Sequence, residues 1–90
     1  MKTTRVKVLF ACGLHSRPAA EFVNLIRSFK SLVWLKVEDR VADARSIISL
    51  LLLDATFQSQ VEIEASGEDE EDAIRATELF FQTPGTEGAW

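Results

Sequence analysis

Thr4, Val6, Val8 and Phe10 alternate with Arg5 and Lys7 near the start of the chain, the period-two pattern of a strand with one buried face. Gly13 then marks a turn, and Pro18 stands where proline is tolerated, in the first turn of a helix. Ala19, Phe22, Val23, Ile26 and Phe29 recur at helical spacing, which predicts a helix over 16–29. Val33, Leu35 and Val37 alternate with Trp34, Lys36 and Glu38 as a second strand. Val41 and Ala42 predict a short third strand after a turn near Asp39. Ser46 opens a short helix over 46–53, and Val61, Ile63 and Ala65 alternate with Glu62, Glu64 and Ser66 in a last strand. Gly67 breaks that strand. Asp69 is placed to cap a final helix over 70–82, facing inward with Ala73, Ala76, Thr77 and Phe80. The order βαββαβα predicts an α+β fold in a single domain over 1–83, followed by a short loop-like tail over 84–90.

Composition narrows the classes. Ninety residues, 47% of them hydrophobic, suffice for one core and argue against a disordered chain. The lone cysteine, Cys12, rules out an internal disulfide and fits a reducing cytoplasm. Residues 1–5 lack the apolar run of a signal peptide, and the longest apolar run, 47–53, is too short to cross a bilayer. A cytoplasmic chain without membrane insertion is therefore expected. The net charge of −4 is unevenly spread. Residues 1–53 hold nine Lys/Arg against four Asp/Glu, a balance of +5, whereas 54–90 hold one against ten, a balance of −9. Such a chain is a poor nucleic-acid binder, while its basic half suits an acidic protein or a phosphate. The acidic run 68–72 reads as a helix start favoured by the dipole, and no metal site is expected there or elsewhere.

His15 is the only histidine, and it falls between a turn glycine and Pro18, at the N-cap of the first helix. Backbone N–H groups of Ser16 and Arg17 have no intrahelical partner at that position, and such an end is suited to an anion. The helix dipole and Arg17 disfavour the imidazolium, keeping the ring nucleophilic, and would stabilise a phosphate placed on it. A histidine that merely caps the helix or sits exposed is the competing reading of the residues alone.

The string Gly13-Leu14-His15-Ser16-Arg17-Pro18-Ala19-Ala20 resembles the active-site signature of the HPr family of bacterial histidine phosphocarriers. Arg45-Ser46-Ile47-Ile48 is similar to the segment that opens the family's second helix, where a serine is phosphorylated by a regulatory kinase in many members. The resemblance spans residues 3 to about 82. It implies an open-faced sandwich, a four-stranded antiparallel sheet covered on one face by three helices. By the same resemblance, His15 takes a phosphoryl group at Nδ1 from enzyme I, charged from phosphoenolpyruvate. It then passes the group to IIA-type acceptor domains of the sugar phosphotransferase system. The resemblance implies a monomeric carrier without cofactor, a phosphotransfer intermediate and not an independent enzyme. Arg17 would stabilise the phosphate, and Ser46 would be the target of an HPr kinase/phosphorylase; an N-cap is the other reading of Ser46. The chain departs from the family pattern at Asp43, Arg45 and Ser49, and in the uniformly apolar stretch from Leu50 to Leu53.

Six apolar residues, Ile47, Ile48, Leu50, Leu51, Leu52 and Leu53, surround the axis of the second helix. A short helix on one sheet can bury only one side, so part of this surface is expected to stay exposed as a partner site. By resemblance that part is Ile47, Ile48 and Leu51, beside Ala20 and Arg27 of the first helix. Packing of all six in the core is the alternative. Cys12 reads as a small hydrophobe near the site. Two rival functions share the element order: a regulatory paralogue without sugar flux, and a ferredoxin-like ligand-binding module.

Overall fold

The computed structural model describes residues 1–10 and 13–82; Cys12 and the tail lie outside the described residues. The elements are β1 (Lys2–Lys7), α1 (Ser16–Ile26), β2 (Leu32–Val37), β3 (Arg40–Asp43), α2 (Ile47–Leu53), β4 (Gln60–Ser66) and α3 (Glu70–Gln82). All strand pairs are antiparallel, in the order β1-β4-β2-β3. Alternation along each strand puts Val6, Val33, Leu35, Val37, Ala42, Val61, Ile63 and Ala65 into the core. The three helices close over them with Ala19, Phe22, Val23 and Ile26 from α1, Leu50 and Leu53 from α2, and Ala73 and Phe81 from α3. Leu32, Trp34 and Val41 are exposed, on strand positions that alternate with the buried ones. The architecture is the expected open-faced sandwich, βαββαβα.

Three local readings are corrected by the structure. The first strand ends at Lys7, not Phe10. Val8 still donates to the carbonyl of Ser59 at 3.0 Å and accepts from the Gln58 N–H at 2.7 Å. Gln58 sits at φ +70°, so the partner segment turns away and regular pairing stops while Val8 and Phe10 continue into the core. The first helix ends at Ile26, not Phe29, because the chain turns at Arg27 and Ser28. The Leu25 carbonyl accepts from both the N–H and the hydroxyl of Ser28, at 3.2 and 2.7 Å, which closes the helix end as a tight turn. On α3 the buried line is Ala73, Thr77 and Phe81, four residues apart, whereas Ala76 and Phe80 are only half-buried. Phe81 packs with Phe10 and Phe22 at ring-centroid distances of 5.8 and 5.5 Å. Thr77 is accommodated because its hydroxyl donates to the Ala73 carbonyl at 2.8 Å.

Asp69 begins the last helix through its backbone, whose carbonyl accepts from the Ala73 N–H at 3.0 Å. Its carboxylate does something else. It accepts from the N–H groups of Lys30 and Ser31 at 2.8 and 2.9 Å and from the Ser31 hydroxyl, pinning the α1–β2 turn to the β4–α3 turn. Gly67 lets the two turns meet, since a Cβ there would lie 2.6 Å from the Ser31 hydroxyl oxygen and 2.7 Å from Ser31 Cα. The Ser31 hydroxyl, then the Lys30 N–H, hold the Asp69 carboxyl below its ordinary value of 3.8. A carboxyl depressed in the folded state contributes stability above its unfolded value, and that contribution is lost as pH falls through the folded one. Asp69→Asn should therefore lower the melting temperature at pH 7, with the gap to wild type closing as the pH drops below 3.8. Melting curves from pH 7 to pH 2.5 or so would check this; a pH-independent gap would contradict it.

Candidate functional site

The site is built on a chain reversal before α1. Gly13 donates to the Phe10 carbonyl at 2.8 Å and adopts φ +74°, a region that glycine enters without steric cost. Its position is also crowded: a Cβ would lie 2.5 Å from the Ala55 carbonyl oxygen and 3.1 Å from Thr56 Cα. Leu14 then donates to the Ala55 carbonyl at 2.8 Å and buries its side chain. The loop that presents His15 is thus held against the segment following α2.

His15 is the N-cap of α1, in extended conformation at φ −92° and ψ −169°. Its N–H donates to Gly13 and its carbonyl accepts from Ala19, both at 3.0 Å. The imidazole makes no capping hydrogen bond. The ring is half-buried, and Nε2 is enclosed without a partner among the described residues. A buried polar nitrogen without a partner is costly, and such groups cluster where chemistry is done. The exposed part of the ring therefore lies away from Nε2. Ser16 and Arg17 follow in the exposed first turn, where backbone N–H groups have no carbonyl one turn back. Arg17 is already engaged in an interaction within the folded chain.

The second candidate residue, Ser46, is the N-cap of α2. Its hydroxyl oxygen accepts from the Ser49 N–H at 3.2 Å, and its carbonyl accepts from Leu50 at 3.1 Å. Ser49, a departure from the family pattern, thus supplies the capped N–H. Arg45, the residue before it, reaches across to the turn after α1: Nη2 donates to the carbonyls of Phe29 and Ser31 at 2.8 and 3.4 Å. It ties the entry to α2 onto the end of α1.

Packing divides α2 sharply. Leu50 and Leu53 are buried, while Ile47, Ile48, Leu51 and Leu52 are 38, 66, 36 and 74% exposed. Burial of all six in the core is excluded. Leu52 and the exposed Phe57 extend this apolar surface and were not singled out from sequence; the run of leucines signalled Leu52, and nothing local signalled Phe57. Helix α2 packs beside α1. Ala20 is half-buried near the His15 end of α1, and Arg27 is exposed at its C-cap. Residues seven apart share a helix face, so both stand on one side of α1, roughly 10 Å apart along the axis. Among the described residues no cluster of His, Cys, Asp or Glu is arranged to hold a metal ion, and no helix is long and apolar enough to cross a membrane.

Gly13→Ala should be poorly tolerated, since it meets both a left-handed backbone and a carbonyl wall. The left-handed conformation alone costs an L-residue about 1–2 kcal/mol. In a domain of this size the melting temperature should fall by about 5–15 °C. Thermal melting checks this, and an unchanged midpoint would show that the reversal can be built another way.

Residues 2–83 match the family model described as the PTS HPr component phosphorylation site. The phosphocarrier protein NPr of Proteus mirabilis is 40% identical over 80 residues, covering 88% of this chain and 89% of the relative. The crystal structure of HPr from Thermoanaerobacter tengcongensis superposes with a TM-score of 0.87 at 33% identity, covering 91% of this chain and 92% of that one. A second structure from that organism, described as an HPr dimer, gives a TM-score of 0.65 at 36% identity, covering 84% and 87%. The open-faced sandwich, the glycine-led reversal and the histidine at the head of α1 thus occur together in a chain that belongs to the HPr family of phosphocarrier proteins of the phosphotransferase system.

Proposed function

We propose that His15 is the phosphoryl acceptor, loaded by phosphorylated enzyme I and unloaded onto IIA-type acceptor domains in the cytoplasm. The observation that carries this is the state of its ring: at a helix N-terminus, free of capping duty, with Nε2 enclosed and without a partner among the described residues. That arrangement supports Nδ1 as the reactive nitrogen. Its lone pair attacks phosphorus while the donor's P–N bond breaks and the electron pair returns to the donor ring. The new negative charge then meets the first-turn N–H groups of Ser16 and Arg17, the positive end of the α1 dipole and the Arg17 guanidinium. The chain turns over as a stoichiometric carrier.

The exposed apolar surface of α2 supports a docking role for Ile47, Ile48 and Leu51, with Ala20 and Arg27 from α1. Ser46 lies at the edge of that surface. A phosphate added there, by a kinase of the HPr kinase/phosphorylase type, brings about −1.5 to −2 charge into a face suited to acidic partners. The relatives themselves carry different names, NPr for one and HPr for another. That division favours, as a second reading, a paralogue serving a regulatory relay through the same histidine. Because one relative is described as a dimer, the expected monomer is not carried forward.

Incubation with enzyme I and labelled phosphoenolpyruvate should place one acid-labile, alkali-stable phosphate on the chain. His15→Ala should abolish it, and Arg17→Ala should slow it by about 10- to 100-fold, the equivalent of one charge-assisted hydrogen bond. Undiminished labelling of His15→Ala would end the proposal. IIA domains from sugar permeases, offered as acceptors, separate the two readings.

Ile48→Asp and Ser46→Asp should each reduce the loading rate at least fivefold or so while leaving the melting temperature within about 3 °C of wild type. A large fall in stability with normal loading of the folded fraction would place either residue in the fold and not in the docking face.

A further inference from the structure

The sheet order β1-β4-β2-β3 leaves β1 and β3 as edges. The β3 edge is four residues long, whereas β1 offers six, from Lys2 to Lys7. β1 pairs with β4 alone, so the backbone N–H and C=O groups on its other side have no strand partner among the described residues. Helix α2 packs on β2 and β3, and α3 on β1 and β4. The β1 edge is therefore at the opposite side of the sheet from the apolar face of α2.

Two shallow cavities, of about 240 and 200 Å³, lie between β1 and α3 along this edge. Lys2, Ile74 and Arg75 line the first, and Glu78 borders both. The second takes in Arg5 and Lys7 from the open side of β1 and Val6 from its covered side, as a cavity at a free edge does. Its apolar wall is completed by Leu9 and Phe81. Four cations, Lys2, Arg5, Lys7 and Arg75, stand against two carboxylates, Glu71 and Glu78, in a chain of net charge −4. Both carboxylates are engaged within the fold: Glu71 pairs with Lys2 at 3.4 Å, and Glu78 accepts from the Thr4 hydroxyl at 2.6 Å. Arg5, Lys7 and Arg75 are exposed and in no ion pair among the described residues, although Glu62 stands opposite Arg5 in the sheet. Basic side chains on an edge discourage pairing with a second basic edge, so two copies of β1 repel each other. They attract a strand of opposite charge.

We propose that the groove between β1 and α3 docks an extended acidic segment of a partner protein, which adds to β1 as a fifth strand. The segment's backbone pairs with the free groups of β1, and its side chains alternate between the two faces. Acidic side chains on one face meet Arg5 and Lys7, while apolar ones on the other meet Val6, Leu9 and Ile74. A partner held there leaves α2 uncovered, so the carrier can be retained while its docking face stays open.

The test titrates the full, isotopically labelled chain with an end-blocked peptide of about eight residues that alternates glutamate with valine. Amide resonances of residues 2–7 should shift most, and their hydrogen exchange should slow. The double variant Arg5→Gln, Lys7→Gln should bind at least fivefold or so more weakly, with an unchanged melting temperature because both side chains are exposed. Salt at about 1 M, where the Debye length is about 3 Å, should weaken wild-type binding in the same way. A peptide with proline at its centre should lose binding, since proline cannot complete the ladder. Equal binding of a lysine–valine peptide, or of the proline peptide, would overturn the proposal, as would shifts centred on α1 and α2. Self-association of the chain through residues 2–7 in the absence of peptide would give the edge to a second copy and overturn it too. Loading of His15 by enzyme I should stay within about twofold of wild type in the double variant. A larger loss would assign Arg5 and Lys7 to enzyme I docking and end the case for a separate site.

Discussion

The hydrogen bond from Leu14 to the Ala55 carbonyl, made possible by the missing side chain of Gly13, is the constraint on which the site depends. It holds the residue before His15 against the segment that leaves α2. Leu14 inserts into the core on one side of that bond, and His15 emerges on the other as the first residue of the α1 cap. A histidine on a free loop would gain little from a helix end, because the dipole acts only within about the first turn. Fixed as the cap itself, the ring shares its position with the unpaired N–H groups and does not have to find them. The same bond ties two functional regions together, since Ala55 follows α2 by two residues.

Helix α1 is held at its far end by a different means. Arg45 donates to the carbonyls of Phe29 and Ser31, and Ser31 is locked to Asp69 and crowded by Gly67. The turn after α1 is thereby attached both to the entry of α2 and to the entry of α3. With its ends secured by polar contacts and its middle by Phe22, Val23 and Ile26, α1 needs no apolar cover on its outer side. The same economy explains α2. Seven residues need only Leu50 and Leu53 in the core to stay in place, which leaves Ile48 and Leu52 in solvent. Folding does not require that exposure, and it is the usual mark of a surface kept for a partner.

Much of this was legible in the sequence, for reasons that separate local from long-range physics. Alternation along β2 and β4 named the buried residues directly, since one sheet face is covered and the other is open. Proline at the third position of α1 placed the helix start, and therefore His15, to the residue. The two-sidedness of α2 followed from counting apolar residues against the side a sheet can cover. What was missed depends on partners distant in the chain. Phe80 and Phe81 are neighbours that both pack on the rings of Phe10 and Phe22, some sixty to seventy residues earlier, yet only Phe81 is fully buried. Asp69 carries a cap signature, yet its carboxylate serves Lys30 and Ser31, 39 and 38 residues earlier.

The charge asymmetry between the two halves of the chain acquires a meaning once it is folded. The acidic first turn of α3 is largely met by the basic N-terminal half: Glu70 by the Met1 amino group at 3.0 Å, Glu71 by Lys2 at 3.4 Å and Glu68 by Lys30 at 2.9 Å. Such exposed pairs contribute little stability, typically below about 1 kcal/mol each. Their larger consequence is electrostatic. They neutralise cations and anions in one region, around the start of β1 and α3, and leave Arg27 on α1 outside any ion pair among the described residues. Arg27 is the C-cap of α1, whose opposite end carries the positive end of the helix dipole. An acidic surface would be repelled by the acidic turn of α3 and not by these groups.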